Sequence, residues 1–363
     1  MAAVASRSFW HRRVVFVTGH TGFKGGWLTL WLHALGARVH GYALDPVTHP
    51  NLCETAGIPS LVESDVRADL SDLDRLTAAM GDAQPSVVFH LAAQPLVRES
   101  YRDPVGTFAT NVMGTAHVLE AARQAPSVTA VVLITTDKVY EIRPGGAAFT
   151  EDDPLGGFDP YSASKAAAEI VAASFRSSFF STAAPGTARI ATARAGNVIG
   201  GGDWANDRLV PDCLRAFADG NPVSLRYPNA IRPWQHVLEP VAGYLRLAER
   251  LAGADGARYA RAWNFGPDAS DSATVGEVAR LIAGIWGEGA AVVDEAAGAH
   301  PHETETLRLD SSRARSDLAW HPLWSLHPAV ERTVDWHRAW LRREDMAGVS
   351  LGQIAQYEAA VPR

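Results

Sequence analysis

Over the first 195 positions, short runs of β-branched and apolar residues alternate with segments whose apolar residues recur at helical spacing. This is the pattern of a parallel sheet covered by helices on both faces. Runs at Val14–Thr18, Arg38–Leu44, Ser86–Leu91, Ala130–Thr135 and Ala188–Ala193 predict strands. Phe23, Trp27, Leu30, Trp31 and Leu35 line one face of a predicted helix over 23–35, with Gly36 as its stop. Ser71–Met80 and Thr107–Arg123 predict crossover helices. Asp159 and Pro160 predict the start of another over about 161–180, as a capping side chain and a first-turn proline. Beyond about residue 195, Gly and Pro punctuate the chain and predict a smaller, loop-rich unit.

The first strand runs straight into Gly19-His-Thr-Gly22-Phe-Lys-Gly25 and then into the first helix. Strand, glycine turn and helix in this order make a dinucleotide cradle. Gly19 permits the tight turn, Gly22 the approach of a pyrophosphate, and Gly25 close packing of helix on strand. Thr21, Phe23 and Lys24 fall within the same turn. The spacing is GxxGxxG, and the flanking elements raise its weight above that of a bare glycine triplet. The predicted fold class is α/β, a Rossmann-type doubly wound parallel sheet with a loop-rich second domain. Asp45, at the end of the second strand, is placed to accept hydrogen bonds from an adenosine ribose and to favour NAD over NADP, or else simply starts a turn before Pro46. Asp65 and Val66 are candidates for the adenine. Leu91, Ala92 and Ala93 close the fourth strand with side chains that leave room for a cofactor.

The 363 residues are 47% hydrophobic with a net charge of -7, enough for a real core and without the clustered positive footprint of a nucleic-acid surface. The longest apolar runs are of strand length, the first residues lack the apolar core of a signal peptide, and Cys53 and Cys213 suit neither a disulfide framework nor a zinc site. A cytoplasmic protein that needs no metal is expected. His300, His302 and Glu303 form a His-x-His-Glu cluster, read here as a loop bordering a pocket, because Pro301 intervenes and no third spaced ligand follows.

Tyr161 and Lys165 stand four apart on a predicted helix, hence on one face. An ammonium beside a phenol favours the phenolate and makes tyrosine a base. Eight tyrosines and three lysines would produce such a pair only about 0.07 times by chance. The preceding strand ends in Thr135-Thr136-Asp137-Lys138-Val-Tyr140, at the carboxyl edge where such sheets build their sites.

Together these segments, with Arg194-Ala-Gly-Asn197, Gly200-Gly-Gly-Asp-Trp204 and Arg232-Pro-Trp-Gln-His236, resemble the extended short-chain dehydrogenase/reductase family over about residues 10–340. Within it they resemble the nucleotide-sugar 4,6-dehydratases, and Lys138 points to the branch acting on CDP-sugars, since the dTDP-glucose branch carries Asp-Glu there. The resemblance implies bound NAD, CDP-glucose as substrate, and a closed redox cycle in deoxysugar biosynthesis: oxidation at C4, loss of water across C5 and C6, and reduction at C6. It implies Tyr161 as base at the C4 hydroxyl, Thr136 as its hydrogen-bonding partner and Asp137 as acid at C6. Lys165 is to hold the nicotinamide ribose. Lys138 is the proposed C5 base, which requires its amine to be neutral. Asn197, Arg208, Arg232 and His236 are the substrate-binding candidates, the arginines for phosphate or ribose oxygens.

The resemblance also implies a homodimer, packed through helices rich in small residues such as Ala163, Ala166, Ala167 and Ala172. The domain division expected is 1–194 for NAD, with a return at about 235–262, and 195–234 plus 263–363 for the nucleotide sugar. Two rival readings stand beside dehydration: an NAD-dependent 4-epimerase, which would have no use for Asp137 and Lys138, and a non-catalytic NAD(P)-sensing regulator, which would not need the tyrosine set. Of the 33 basic residues only Lys24, Lys138 and Lys165 are lysines, and all three lie in these motifs.

Overall fold

A computed structural model describes residues 4–142, 147–180, 187–294 and 307–361. His300, His302 and Glu303 lie outside the described residues. The main sheet is built from β1 (Val14–Thr18), β2 (Arg38–Ala43), β3 (Ser64–Arg67), β4 (Val87–His90), β5 (Ala130–Ile134) and β6 (Arg189–Ala195). Small paired strands follow: β7 (Val198–Ile199) with β10 (Gln235–His236), β8 (Val223–Leu225) with β13 (Val292–Asp294), and β9 (Ile231–Arg232) with β12 (Ala273–Thr274). β11 (Ala262–Phe265) returns to the main sheet, which is parallel throughout in the order β11-β6-β5-β4-β1-β2-β3. The five predicted strands are there, each within two residues of its expected ends. β3 and β11 complete the sheet.

The chain lays β2 and β3 on one side of β1 and β4 to β6 on the other. The direction of winding therefore reverses between β1 and β4, and a crevice opens beyond their carboxyl ends. All four residues of β4 and all five of β5 are buried, as strands covered on both faces must be. One core cluster packs Trp27, Trp31 and Val15 against Tyr244, Trp263 and Tyr357, and a second fills the opposite face with Phe16, Tyr42, Leu119 and Ile190.

Two departures from the sequence reading are informative. The predicted helix over 107–123 is interrupted: a helix Pro104–Phe108 passes through a π-turn at Ala109–Met113 into Gly114–Gln124. The C-terminal helix Met346–Ala359, assigned from sequence to the outer unit, packs on the first sheet-flanking helix as well as on Leu326–Leu341: Tyr357 is edge-on to both Trp31 and Trp324, the Trp31 indole N–H donates to Glu358 at 2.8 Å and that of Trp336 to Ser350 at 2.9 Å. Sequence periodicity shows which face of a helix is apolar, and says nothing of which core it joins.

Candidate active site

The glycine turn occupies the crevice. Gly19 has φ +76°, and a Cβ there would lie 2.6 Å from the backbone nitrogen of Ala92. A Cβ on Gly25 would overlap the carbonyl oxygen of Gly19. Thr21 donates to the Leu44 carbonyl at 2.9 Å and ties the turn to the end of β2. Gly22 starts the helix Phe23–Ala34, whose first turn no side chain caps, so its N–H groups face the crevice with the helix's positive end. Thr18 bonds His90 Nδ1 at 2.7 Å and accepts from the Ala92 N–H at 3.3 Å, fixing half-buried Leu91, Ala92 and Ala93 alongside. This cradle, which any side chain at Gly19 or Gly25 would fill, fits a dinucleotide pyrophosphate. Phe23 lies against Gly200, and Lys24 extends its amine among Arg208, Asp137, Lys165 and Asp203; burial first, then Arg208, brings that amine down to about 8.

At the adenosine end, Arg67 is the organising residue, and sequence reasoning missed it. It donates to both oxygens of Asp65 at 2.6 and 2.7 Å and to exposed Asp45 at 3.2 Å. His20, buried over Gly41, adds a 2.8 Å bond to Asp65. Asp65 therefore braces Arg67 and the glycine turn while part of its side chain stays accessible. Asp45, Pro46, His49, Cys53 and Arg67 line a cleft of about 540 Å³ here, and Val66 packs inward beside it.

β5 delivers the reactive cluster. Thr136 starts a single turn over 137–139, donates to Asp137 Oδ1 at 3.0 Å and hydrogen-bonds Tyr161. Asp159 accepts from the Ser162 N–H at 2.9 Å and starts the helix Pro160–Ser178, so Tyr161 sits in its first turn. Asp137 is 2% exposed and its Oδ2 has no hydrogen-bond partner among the described residues. Burial pushes its carboxyl up, against Lys138, Thr136, Arg232 and Lys24, which favours a proton-bearing acid. Lys138 stays half-buried beside it.

Lys165 donates to the Ile134 carbonyl at 3.0 Å, and burial, with Glu169 opposing, brings its amine down to about 8. Burial holds the Tyr161 phenol up at about 12, against Thr136 and Arg208. Burial is thus the leading influence on both groups, and Arg208 is the cation that opposes it at the phenol.

Asn111 is a second residue that sequence reading passed over. Its amide accepts from the Gln94 N–H at 2.9 Å and donates to the Gln94 carbonyl at 3.1 Å and Ser164 Oγ at 2.8 Å, clamping the loop after β4 to the Tyr161 helix. The π-turn aims it inward. A polar residue in a helix-period segment gave no cue beyond its type.

On the substrate side, Asn197 accepts from the Gln235 N–H at 3.0 Å through its carbonyl and remains half-buried. Arg208, paired with Asp203 at 3.3 Å, reaches the cluster, and Arg232, 3% exposed, places its charge on Asp137. His236 is corrected: wholly buried, it packs edge-on to Trp27 and Trp324, and burial lowers its pKa to about 3. It is a neutral core histidine.

The chain matches the profile of the NAD dependent epimerase/dehydratase family over residues 15–264. It is 48% identical over 359 residues to the CDP-glucose 4,6-dehydratase of Salmonella typhimurium, covering 98% of this chain and 99% of that protein. A UDP-glucose 4-epimerase of Mycolicibacterium smegmatis is 30% identical over 336 residues, 89% of this chain and 97% of that one. The UDP-glucose 4-epimerase of Thermus thermophilus, solved in complex with NAD, superposes with a TM-score of 0.76 at 26% identity, over 89% of this chain and 98% of that one. A glycine cradle at the sheet's switch point, a tyrosine and lysine one helical turn apart, and these near-full-length likenesses agree: this chain belongs to the NAD dependent epimerase/dehydratase family.

Proposed function

We propose that this chain dehydrates CDP-D-glucose to CDP-4-dehydro-6-deoxy-D-glucose, as an NAD-dependent hydro-lyase of deoxysugar biosynthesis. The observation that carries the reading is the Asp137-Lys138 pair set beside Thr136 and Tyr161, in a chain so like a CDP-glucose 4,6-dehydratase from end to end. Gly19, Thr21, Gly22, Phe23, Lys24, Gly25, Leu91, Ala92 and Ala93 are the residues that hold NAD, with Asp45 and Arg67 at its adenosine end. When bound, NAD supplies the acceptor for the electron pair leaving C4 and the donor that returns it at C6.

The chain's own groups move the protons. Tyr161 takes the proton of the C4 hydroxyl while Thr136 holds the same oxygen, and Lys165 and Arg208 provide the positive charge that favours the phenolate. The C4 ketone acidifies C5–H, which Lys138 removes. Asp137, kept protonated by its burial, delivers its proton to the departing C6 hydroxyl. Arg208, Arg232 and Asn197 orient the nucleotide half. A 4-epimerase would leave Asp137 and Lys138 idle.

The test is incubation with a panel of nucleotide sugars, read by mass spectrometry. Loss of one water from CDP-glucose, far above other substrates, is expected. Inversion at C4 without loss of water would replace this reading with the epimerase. A homodimer in the cytoplasm is part of the proposal: Ala166 and Ala172 are taken up by the chain's own core, and Val105, Phe108, Met113 and Ile170 leave apolar side chains exposed on the helices over 104–124 and 160–178. No helix among the described residues is long and apolar enough to cross a membrane.

A further inference from the structure

The helix that carries Tyr161 and Lys165 also carries Glu169, one turn beyond Lys165 and 4% exposed. Both its oxygens are fully used. Thr135 and Thr192 donate hydroxyls at 2.6 Å each, and Arg194 of β6 donates in bidentate fashion from Nε at 2.9 Å and Nη2 at 3.0 Å. The second arm of Arg194 donates to the Tyr140 hydroxyl at 3.0 Å and the Glu151 carbonyl at 3.2 Å. Tyr140 then donates to Asn264 Oδ1 of β11 at 2.6 Å, and the Asn264 amide reaches the carbonyls of Phe149 and Asp310.

Every link from Thr135 through Glu169, Arg194 and Tyr140 to Asn264 is buried, and the network ends on the two elements that carry the proposed reactive groups. Thr135 precedes Thr136, and Tyr140 follows Lys138 by two residues. A buried ion pair is costly to desolvate and adds little net stability, so its value here lies in registering elements that would otherwise slide. We propose that Glu169 and Arg194 are the positioning pair of the active site: they lock the Tyr161–Lys165 helix to the Thr136–Lys138 loop and place a fixed negative charge one turn from Lys165. The proposal rests on the site reading given above.

The charges around the pair are few. Lys165 is faced by Glu169 on its own helix, where Tyr161 stands one turn before it, and by His90 at the end of β4 and Lys24 from the glycine turn; Glu169 is faced by Arg194 on β6 and Arg176 on its own helix. Burial pushes the Glu169 carboxyl up, yet Arg194, Thr135 and Thr192 hold it below the ordinary range, so it remains an anion. Of the groups acting on Lys165, it is the one that favours the ammonium.

Because the chain has only three lysines, ¹³Cε-lysine NMR gives three side-chain signals, assigned with Lys165→Arg. Titrating the full chain, with and without NAD, Glu169→Gln is expected to lower the Lys165 midpoint by about one pH unit or more, and Glu169→Asp to restore most of it. A purely structural role moves the melting temperature and leaves that midpoint alone. A folded Glu169→Gln chain with the parent's Lys165 midpoint overturns the proposal. Tyr140→Phe, which changes one hydroxyl, tests the loop arm: amide exchange at 137–141 is expected to quicken about tenfold. Parent-like protection there overturns the proposal even if Glu169→Gln does not fold. Neither readout requires turnover, so a failure to dehydrate CDP-glucose would sink the substrate assignment separately.

Discussion

Thr136 donates its hydroxyl to Oδ1 of Asp137 at 3.0 Å, and the facing Oδ2 of Asp137 is buried without a partner among the described residues. Thr136 thus fixes the carboxyl's orientation and leaves one oxygen to carry the transferable proton. Asp137→Asn keeps the shape and removes the proton. It is expected to lower kcat by about 10²- to 10⁴-fold. Because burial raises the Asp137 pKa, ionising it works against folding as pH rises above the free carboxyl value of about 3.9, so the asparagine variant should melt no lower than the parent at neutral pH. Steady-state kinetics and a thermal scan check both parts.

Gly196 packs against the same carboxyl. A Cβ there would sit 3.1 Å from Asp137 Oδ2 and 2.5 Å from Pro233 Cγ. Gly196→Ala should cost about 1–3 kcal/mol of stability and push Arg232 and Asp137 out of register. Denaturant midpoints give the first effect and kcat the second, which should fall more than KM rises.

Asp45 and Asp65 hold Arg67 between them. Removing the outer carboxylate by Asp45→Ser leaves Arg67 anchored by Asp65 yet open to a 2′-phosphate, while deleting a charge that repels it. The preference for NAD over NADP should shrink about ten- to a hundredfold, one to two powers of ten being the usual scale for one charged contact. Competitive binding of the two nucleotides, followed calorimetrically, measures it.

Three buried histidines predict the acid limb of stability. Burial brings His90 and His236 down to about 3 and His337 to about 4. The unfolded chain takes up these protons near the free value of about 6.5 and the folded chain does not, so stability falls as pH drops from about 6.5 toward 4. Urea unfolding across that range should show the slope. His236→Asn, which keeps an acceptor for the Leu238 N–H, should flatten it.

The exposed apolar side chains of the helices over 104–124 and 160–178 carry the assembly prediction. Val105→Glu with Ile170→Glu should halve the sedimentation mass without lowering NAD affinity more than about twofold, since neither residue lies in the cradle. A parent chain sedimenting at the mass of a single chain would remove the dimer from the proposal.

Strands such as Ala130–Ile134 were legible because two-sided burial demands an unbroken apolar run, and the glycine turn because only glycine tolerates its φ and its close approaches. Tyr161 and Lys165 were legible because helical spacing places them on one face. Arg67, Asn111 and Glu169 were not, since each acts through partners far along the chain: Asn111 through Ser164, Glu169 through Thr135 and Arg194, Arg67 through Asp45. His236 was misread for the converse reason, a polar residue in a matched segment that the fold packs between two tryptophans.

The sequence by itself determined the α/β architecture, the cradle and the choice of candidate side chains, because periodicity, glycine geometry and residue chemistry are local properties. Only the tertiary structure decided which charges are buried together, and so which way each proton equilibrium leans. That balance depends on desolvation and on neighbours brought in from other strands, which no stretch of sequence contains.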